Sequence, residues 1–324
     1  MTENQFLTEL NHALSQLPEE ERNDIMQDIQ EYFSNGRQDG KSDFAIASEL
    51  GPPQTIAKEL AESYDFAQTK NTDVLRDTFD KVDIQLDTGS LLIGPSADSE
   101  MRVDIKDKDY KQQFSTDIVG HTLVVTLKNE KKWGLFSFNV NTKSPVVTVE
   151  LPPKTYEHIK LQTGSGRIEA NRLQSVEFLA ESDNGRIQLR EIAGNQLIAE
   201  SDNGALELRK IQSDAITAKT DNGKIEMQDV LAKKAKIETD NGSILMANVE
   251  GDIQAETDNG RITLQARDIE RNIDLKTDNG GIVVETMNAP INVTIQADRD
   301  NGKAAIFNEK AATSSLAMAA TVSG

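Results

Sequence analysis

Hydrophobic and polar residues alternate with period two through most of this chain, and the alternation restarts at a nearly fixed interval. The restart is marked by Asp-Asn-Gly, which begins at Asp183, Asp202, Asp221, Asp240, Asp258, Asp278 and Asp300, at intervals of 19, 19, 19, 18, 20 and 22. Four residues after each Asp stand Ile187, Leu206, Ile225, Ile244, Ile262, Ile282 and Ala304; three before it stand Ala180, Ala199, Ala218, Ile237, Ala255, Leu275 and Ala297. Both arms predict strands joined by a tight turn. One such repeat cannot bury its apolar side alone, whereas stacked repeats align equivalent residues into continuous columns. The pattern predicts a mainly β protein, a parallel β-solenoid of about 19 residues per coil, regular over 161–310. A propeller blade needs roughly 40 residues, which the period disfavours. A meander of hairpins is the other arrangement that Asn-Gly allows.

The ends are less regular. "LQTGSGRIEA" (161–170) reads as an eighth, diverged coil, because Gly166 precedes Gly185 by 19 residues. Residues 79–160 hold strand-like runs without that spacing and are expected to form irregular first coils and an N-terminal cap. Residues 311–324 are expected to form a C-terminal tail or cap. The segment 130–145 carries the single Trp, Trp133, with Phe136 and Phe138. It reads as a cap packed on the coil, with an exposed partner-binding loop as the sharper alternative.

The turn chemistry admits several readings. Gly at the third position and Asn at the second suit a left-handed backbone, which assigns turn roles to Asn184-Gly185, Asn203-Gly204, Asn222-Gly223, Asn241-Gly242, Asn259-Gly260, Asn279-Gly280 and Asn301-Gly302. Asp can accept an N–H further round the turn. The preceding Ser182, Ser201, Thr220, Thr239, Thr257 and Thr277 share the inward parity, so their hydroxyls are expected to bond along the stack. A calcium ladder on Asp183, Asp202, Asp221, Asp240, Asp258, Asp278 and Asp300 is the rival reading. Calcium wants six to eight oxygens with converging carboxylates, and one Asp per turn supplies too few. Arg186, Lys224, Arg261 and Lys303 are placed to neutralise the column without metal. A polysaccharide-active β-helix would break the repeat with one carboxylate pair, whereas these carboxylates recur in every coil. His12, His121 and His158 are scattered, and no nucleophile triad, phosphate loop or zinc spacing occurs. The reading is therefore a non-enzyme without a cofactor.

The first 65 residues follow a helical period instead. Thr2 and Gln5 have capping-box spacing, and Phe6, Leu10, Leu14 and Leu17 make one apolar stripe. Pro18 opens a second helix, Glu19, Glu20 and Glu21 suit its positive end, and Ile25, Ile29 and Phe33 supply its stripe. Asn35-Gly36 is expected to end it. Ser42 caps a third helix with Phe44, Ala47 and Leu50 facing inward, and Pro53 starts a fourth with Ile56, Leu60 and Tyr64. These make a small all-α bundle, 1–65, tied to the β-domain by a linker at 66–78.

Charge sharpens the division. The formal net charge is −19, which argues against a basic nucleic-acid-binding face. Residues 1–70 hold 14 Asp/Glu against 5 Lys/Arg, so nearly half the excess sits in the first fifth of the chain. That acidity fits a solvated surface or a basic partner. There is no Cys, hence no disulfide framework. The N-terminus lacks the pattern of a secretory signal and no stretch is long and apolar enough to span a membrane, so a cytoplasmic chain is expected.

Two family resemblances add to this. "LSQLPEEERNDIMQDIQEYF" and "GKSDFAIASELGPPQTIAKEL" resemble the HAAS signalling domain of Gram-positive bacteria over about 1–65. The resemblance implies a module that precedes membrane segments or a sensory β-domain and is encoded near PadR-type regulators. The recurrent (Ser/Thr)-Asp-Asn-Gly-x-Ile-x-(Leu/Met) unit is similar to the adhesin-type β-strand-repeat family, also described as the toastrack fold, over about 79–310. That resemblance implies a scaffold or sensor of envelope-stress signalling with protein partners, cytoplasmic or peripheral at the membrane. An exported adhesin or glycan-binding solenoid is the alternative from another class.

Overall fold

The computed structural model describes residues 1–17, 19–58, 79–108, 112–129, 144–288, 293–306, 309–311 and 318–322. For the last three ranges, and for Glu20, Glu21 and Asp24, it describes the backbone alone. Pro18, Leu60, Tyr64, Trp133, Phe136 and Phe138 lie outside the described residues. The chain divides into two compact units, one built on the N-terminal helices and one on the β-repeats.

The helical unit contains α1 (Glu3–Ala13), α2 (Glu19–Gln38) and α3 (Asp43–Leu50), followed by a helical segment at 53–58. Thr2 and Gln5 form the reciprocal capping box that opens α1. Phe6, Leu10, Ile29, Phe33, Ile46 and Leu50 centre the core, with the Phe6 and Phe33 rings edge to face at 5.6 Å. Arg37 ties the three helices together by bonding Glu3 of α1 and Asp43 of α3. Its hydrogen bonds hold the Asp43 carboxyl below its ordinary pKa.

Two helical expectations are corrected. The second helix does not stop at Asn35-Gly36. Gly36 lies inside α2 because a Cβ there would stand 2.8 Å from Ile46 Cδ1, so this glycine permits close packing of α3. The helix ends instead at Gly40, whose φ of +80° and the bonds Lys41 N→Gly36 O and Gly40 N→Arg37 O make a Schellman cap. Phe44 does not face inward. It is 69% exposed, and Ile46 takes the core position beside Ala47 and Leu50, the i, i+1, i+4 face of α3.

The β unit is a β-solenoid of about 7 turns, about 19 residues apart. The strand sequence is β1 (Lys81–Leu86), β2 (Ser90–Pro95), β3 (Arg102–Lys106), β4 (Gln112–Val119), β5 (Thr122–Asn129), β6 (Val146–Leu151), β7 (Thr155–Thr163) and β8 (Ile168–Asn171). It continues with β9 (Gln174–Ser182), β10 (Ile187–Arg190), β11 (Ala193–Ser201), β12 (Leu206–Thr220), β13 (Ile225–Thr239) and β14 (Ile244–Thr257). The last are β15 (Ile262–Ala266), β16 (Ile273–Thr286), β17 (Val293–Ile306), β18 (Glu309–Ala311) and β19 (Met318–Val322).

Equivalent strands stack in parallel and in register: Ile187 pairs with Leu206, Leu206 with Ile225 and Ile225 with Ile244. The inward columns compensate in volume. Ile216 and Ala218 are followed one coil later by Ala235 and Ile237, all four buried, so large and small side chains trade places.

Each regular coil turns at three places, one more than the two-arm repeat suggests. In β12, buried Leu206 and Leu208 are followed by exposed Arg209 and Lys210, then buried Ile211 and Ser213, then exposed Asp214 and Ala215, then buried Ile216, Ala218 and Thr220. The first of these bends is made by a non-glycine residue in the left-handed region: Arg172, Glu191, Lys210, Asp229 and Asn248, with φ of 53–55°. Such a conformation costs about 1–2 kcal/mol for most residues. It persists because coil stacking fixes both flanking strands.

The uneven spacing also has a structural origin. The 18-residue interval arises where the β13–β14 register shifts between Leu231 and Lys234. There Gly251, at φ +98°, replaces two residues of the coil beneath, and a Cβ on it would lie 1.8 Å from Ala232 O. The next interval, of 20, comes from a longer corner at 267–272, where Ile269 stays buried and Arg271 Nη2 donates to Val249 O at 2.6 Å.

The N-terminal coils are assembled out of chain order. β1 lies between β5 and β7, and β2 between β6 and β8, all parallel. The chain thus returns after β2 to build a coil on the far side of its own first strands. β3 runs antiparallel along β6, and β18 and β19 run antiparallel along β17, so both ends of the stack change direction. Antiparallel strands there blunt the open parallel edges.

Candidate functional site

Two surfaces stand out, one on each unit. On the helical unit a groove of about 400 Å³ is lined by Met1, Phe44, Ala47, Pro52, Pro53 and neighbouring residues. Among the described lining residues Glu9 has the one charged side chain, and Gln54 Nε2 donates to its carboxylate at 3.2 Å. The groove exists because Ser42 starts α3 with Phe44 turned outward, and Gly51, at φ +79°, with Pro52 breaks the chain direction after Leu50. An aromatic ring left largely exposed beside an apolar trough suits a partner that brings an apolar side chain.

On the β unit the repeats present ordered outward columns. Beside the inward hydroxyls, Glu181, Glu200, Lys219, Glu238, Glu256 and Lys276 stand in register along one face. Their signs are mixed, so the face offers a pattern of charge rather than a uniform field. On the neighbouring face Gln188 donates to Glu207 at 2.8 Å and Arg209 reaches Glu226 at 3.3 Å.

The Asp-Asn-Gly corner resolves into three columns with separate roles. The hydroxyls form a buried zipper: Gly204 N donates to Ser201 Oγ at 2.9 Å, and Thr220 Oγ1 donates to Gly204 O at 3.0 Å. The same alternation recurs through Thr239, and its hydroxyl-to-carbonyl half extends from Thr163 on Gly89 to Thr277 on Gly260. The Asn side chains form a ladder in which Asn203, Asn222, Asn241, Asn259 and Asn279 each donate to the Asn one coil earlier, at 2.9–3.1 Å. Asn184 at its foot donates to Gly164 O at 3.4 Å.

This corrects the expected reason for the glycines. Gly185, Gly204, Gly223, Gly242, Gly260 and Gly280 do not adopt positive φ, nor do their Asn neighbours. A Cβ on any of them would lie 1.5–1.9 Å from the carbonyl oxygen of the corner glycine one coil earlier. They are glycines because adjacent coils touch backbone to backbone. Asp is likewise not the turn acceptor; in four of these corners the Gly N–H goes to the Ser or Thr hydroxyl.

The Asp side chains themselves point away from the core. Asp183, Asp202, Asp240 and Asp258 are exposed, and Asp221 and Asp278 half-buried. Among the described residues no three His, Cys, Asp or Glu side chains come close enough to hold a metal ion. Two of the basic residues after the turn pair elsewhere than with this column: Arg186 with Glu207 and Lys224 with Glu226 on the flat face. Asp300, Asn301 and Gly302 lie in β17, where Asn279 aligns with Asn301 and Gly280 with Gly302.

Sequence reading missed an earlier corner, Asp87-Thr88-Gly89, although the Asp-x-Gly signal was present; a Cβ on Gly166 would meet Gly89 O at 2.0 Å. It also missed the groove, whose residues come from three separated stretches. No helix among the described residues is long and apolar enough to cross a membrane.

Comparison with known proteins follows these two units. The Toastrack DUF4097 family model matches residues 79–321, and the HAAS family model matches residues 5–59. Among curated proteins none is significantly similar in sequence. A crystal structure of a "putative adhesin" from Bacteroides fragilis is similar at 14% identity and a TM-score of 0.36, covering 65% of this chain and 93% of that one. The two domains fit a non-enzymatic protein-interaction role. The chain belongs to the Toastrack DUF4097 family, and carries a HAAS domain ahead of its β-solenoid.

Proposed function

We propose that this protein is a non-enzymatic scaffold or sensor component of bacterial cell-envelope stress signalling, acting in the cytoplasm or peripherally at the membrane. The helical domain recruits a protein partner and the solenoid holds a rigid, patterned face to a second contact. The observation that carries this reading is the groove beside exposed Phe44, set in a domain whose first 70 residues carry 14 acidic against 5 basic side chains. An apolar trough in an acidic surface selects a basic amphipathic segment, whose apolar side enters the trough while its Lys and Arg meet the surrounding carboxylates. A PadR-type regulator is the named candidate for supplying it.

The test is reciprocal co-purification of the full chain from cells with and without cell-wall stress, comparing wild type with Phe44→Ser. Because Phe44 is exposed, the substitution leaves the helical core intact, which circular dichroism checks. The reading expects a regulatory or envelope-stress protein that is retained by wild type, lost with Phe44→Ser and weakened by salt. Equal retention by both proteins, or recovery of the chain only from the cell exterior, would overturn it.

A further inference from the structure

The helices α1 and α3 carry four carboxylates between them, and their surroundings differ. Glu3 and Asp43 bond Arg37, and Glu49 meets Lys41 Nζ at 2.8 Å. Glu9, the one that lines the groove, has only a neutral partner among the described residues: Gln54 Nε2, at 3.2 Å. One bond from an exposed amide leaves the negative charge of Glu9 uncompensated. That bond joins α1 to the 53–58 segment, two walls of the same groove.

The walls also restrict the form of what can enter. They come from α1, α3 and the 53–58 segment, and no strand contributes to the described lining. Pro52 and Pro53 have no N–H, and Gly51 N–H is spent on Ala47 O at 3.2 Å, so this side gives an extended peptide little to pair with. An α-helix satisfies its own backbone and can lay one face into an apolar trough of about 400 Å³. Residues three, four and seven apart on such a helix share that face, which lets an apolar side chain and a cation enter together.

We propose that Glu9 is the specificity-determining residue of the groove, and that the occupant is an amphipathic helix of a protein partner with an Arg on the face that carries its apolar anchor. This rests on the groove being the docking surface. The anchor packs beside exposed Phe44, and the Arg displaces Gln54 from Glu9. A guanidinium brings two parallel N–H donors and a positive charge where Gln54 brings one neutral donor. Lys supplies the charge without the fork and is the weaker substitute. An acidic residue at that place would face Glu9 beside an apolar trough, so like charge excludes it.

Selection from a phage-displayed library of helices about 15–20 residues long, randomised along one face, tests this on the full chain. Wild type is expected to enrich peptides that pair a large apolar residue with Arg, and Phe44→Ser to bind them at least about tenfold more weakly. Glu9→Lys should weaken the same peptides at least about tenfold, and exchanging their Arg for Glu should restore binding to that variant alone. Gln54→Ala removes only the competitor and should leave binding equal or tighter. Glu31→Lys, at an exposed carboxylate outside the groove lining, is the control for net charge and should change little. All these positions are exposed, so the core of the unit is untouched. Peptides that need Phe44 but are indifferent to Glu9→Lys, or are weakened equally by Glu31→Lys, would overturn the Glu9 assignment and leave the groove standing. Peptides indifferent to Phe44→Ser, or no enrichment, would overturn both.

Discussion

Replacing Gly223 by Ala separates two accounts of the Asp-Asn-Gly corner. The added Cβ would stand 1.9 Å from Gly204 O, 2.6 Å from Gly204 C and 2.8 Å from Thr220 Oγ1. A carbon normally approaches a carbonyl oxygen no closer than about 3.3 Å. The coils must therefore part by an appreciable fraction of an ångström to more than one, stretching Thr239 Oγ1→Gly223 O at 3.1 Å and Asn222 Nδ2→Asn203 Oδ1 at 2.9 Å. Overpacking plus one or two weakened buried bonds gives a destabilisation of about 3–5 kcal/mol. For a unit of this size that corresponds to a fall in Tm of roughly 6–20 °C. Thermal melting of the full chain by circular dichroism reads it directly. Gly120→Ala is the control: its φ is +63° with no atom within 4 Å of the added Cβ, so only the backbone term of about 1–2 kcal/mol applies. Gly223→Asn completes the set, because Asn tolerates left-handed backbone but still carries a Cβ. Were Gly223→Asn near wild type, the glycine would be serving conformation rather than close approach, and the reasoning would be refuted.

Three further outcomes follow from other parts of the chain. Thr220→Val should cost about 2–4 kcal/mol in urea denaturation, because it leaves Gly223 N–H and Gly204 O unpaired inside the zipper, whereas Thr220→Ser should cost under about 1 kcal/mol. Arg172→Gly should leave stability unchanged or raise it by up to about 1 kcal/mol, since it relieves a left-handed non-glycine residue at an exposed corner; a clear loss would show that the corner is not strained. Asp98 should titrate at about 2 by NMR, because hydrogen bonds from Arg102 hold it ionised, and Arg102→Ala should return it toward the ordinary carboxylate value of about 3.9. The sign is that of a depressed carboxylate: its contribution is present above the unfolded pKa and disappears as pH falls toward 2.

The solenoid was legible in the sequence because stacking demands that one parity be apolar in every coil, and Ile187, Leu206, Ile225 and Ile244 keep it without exception. The bend at Glu191 and Lys210 was not legible, because stacking imposes that conformation on side chains with no preference for it. Gly36 and Gly223 show the converse. A glycine needed for close approach reads locally like one needed for a turn, and only the partner atoms, Ile46 Cδ1 and Gly204 O, distinguish them. The insertion of β1 and β2 depends on pairs such as Ser90 with Val146, far apart in the chain. The groove was hidden for the same reason, and Phe44 was misplaced because its step of three to Ala47 also fits an inward face.

The most direct test of the functional account is in-cell cross-linking from position 44, with a photoreactive phenylalanine analogue in place of Phe44 and mass-spectrometric mapping of the captured peptide. The account predicts one dominant protein adduct during envelope stress, on a basic amphipathic segment, competed by wild-type helical domain. Adducts confined to acidic or uncharged segments, or indifferent to that competitor, would contradict it.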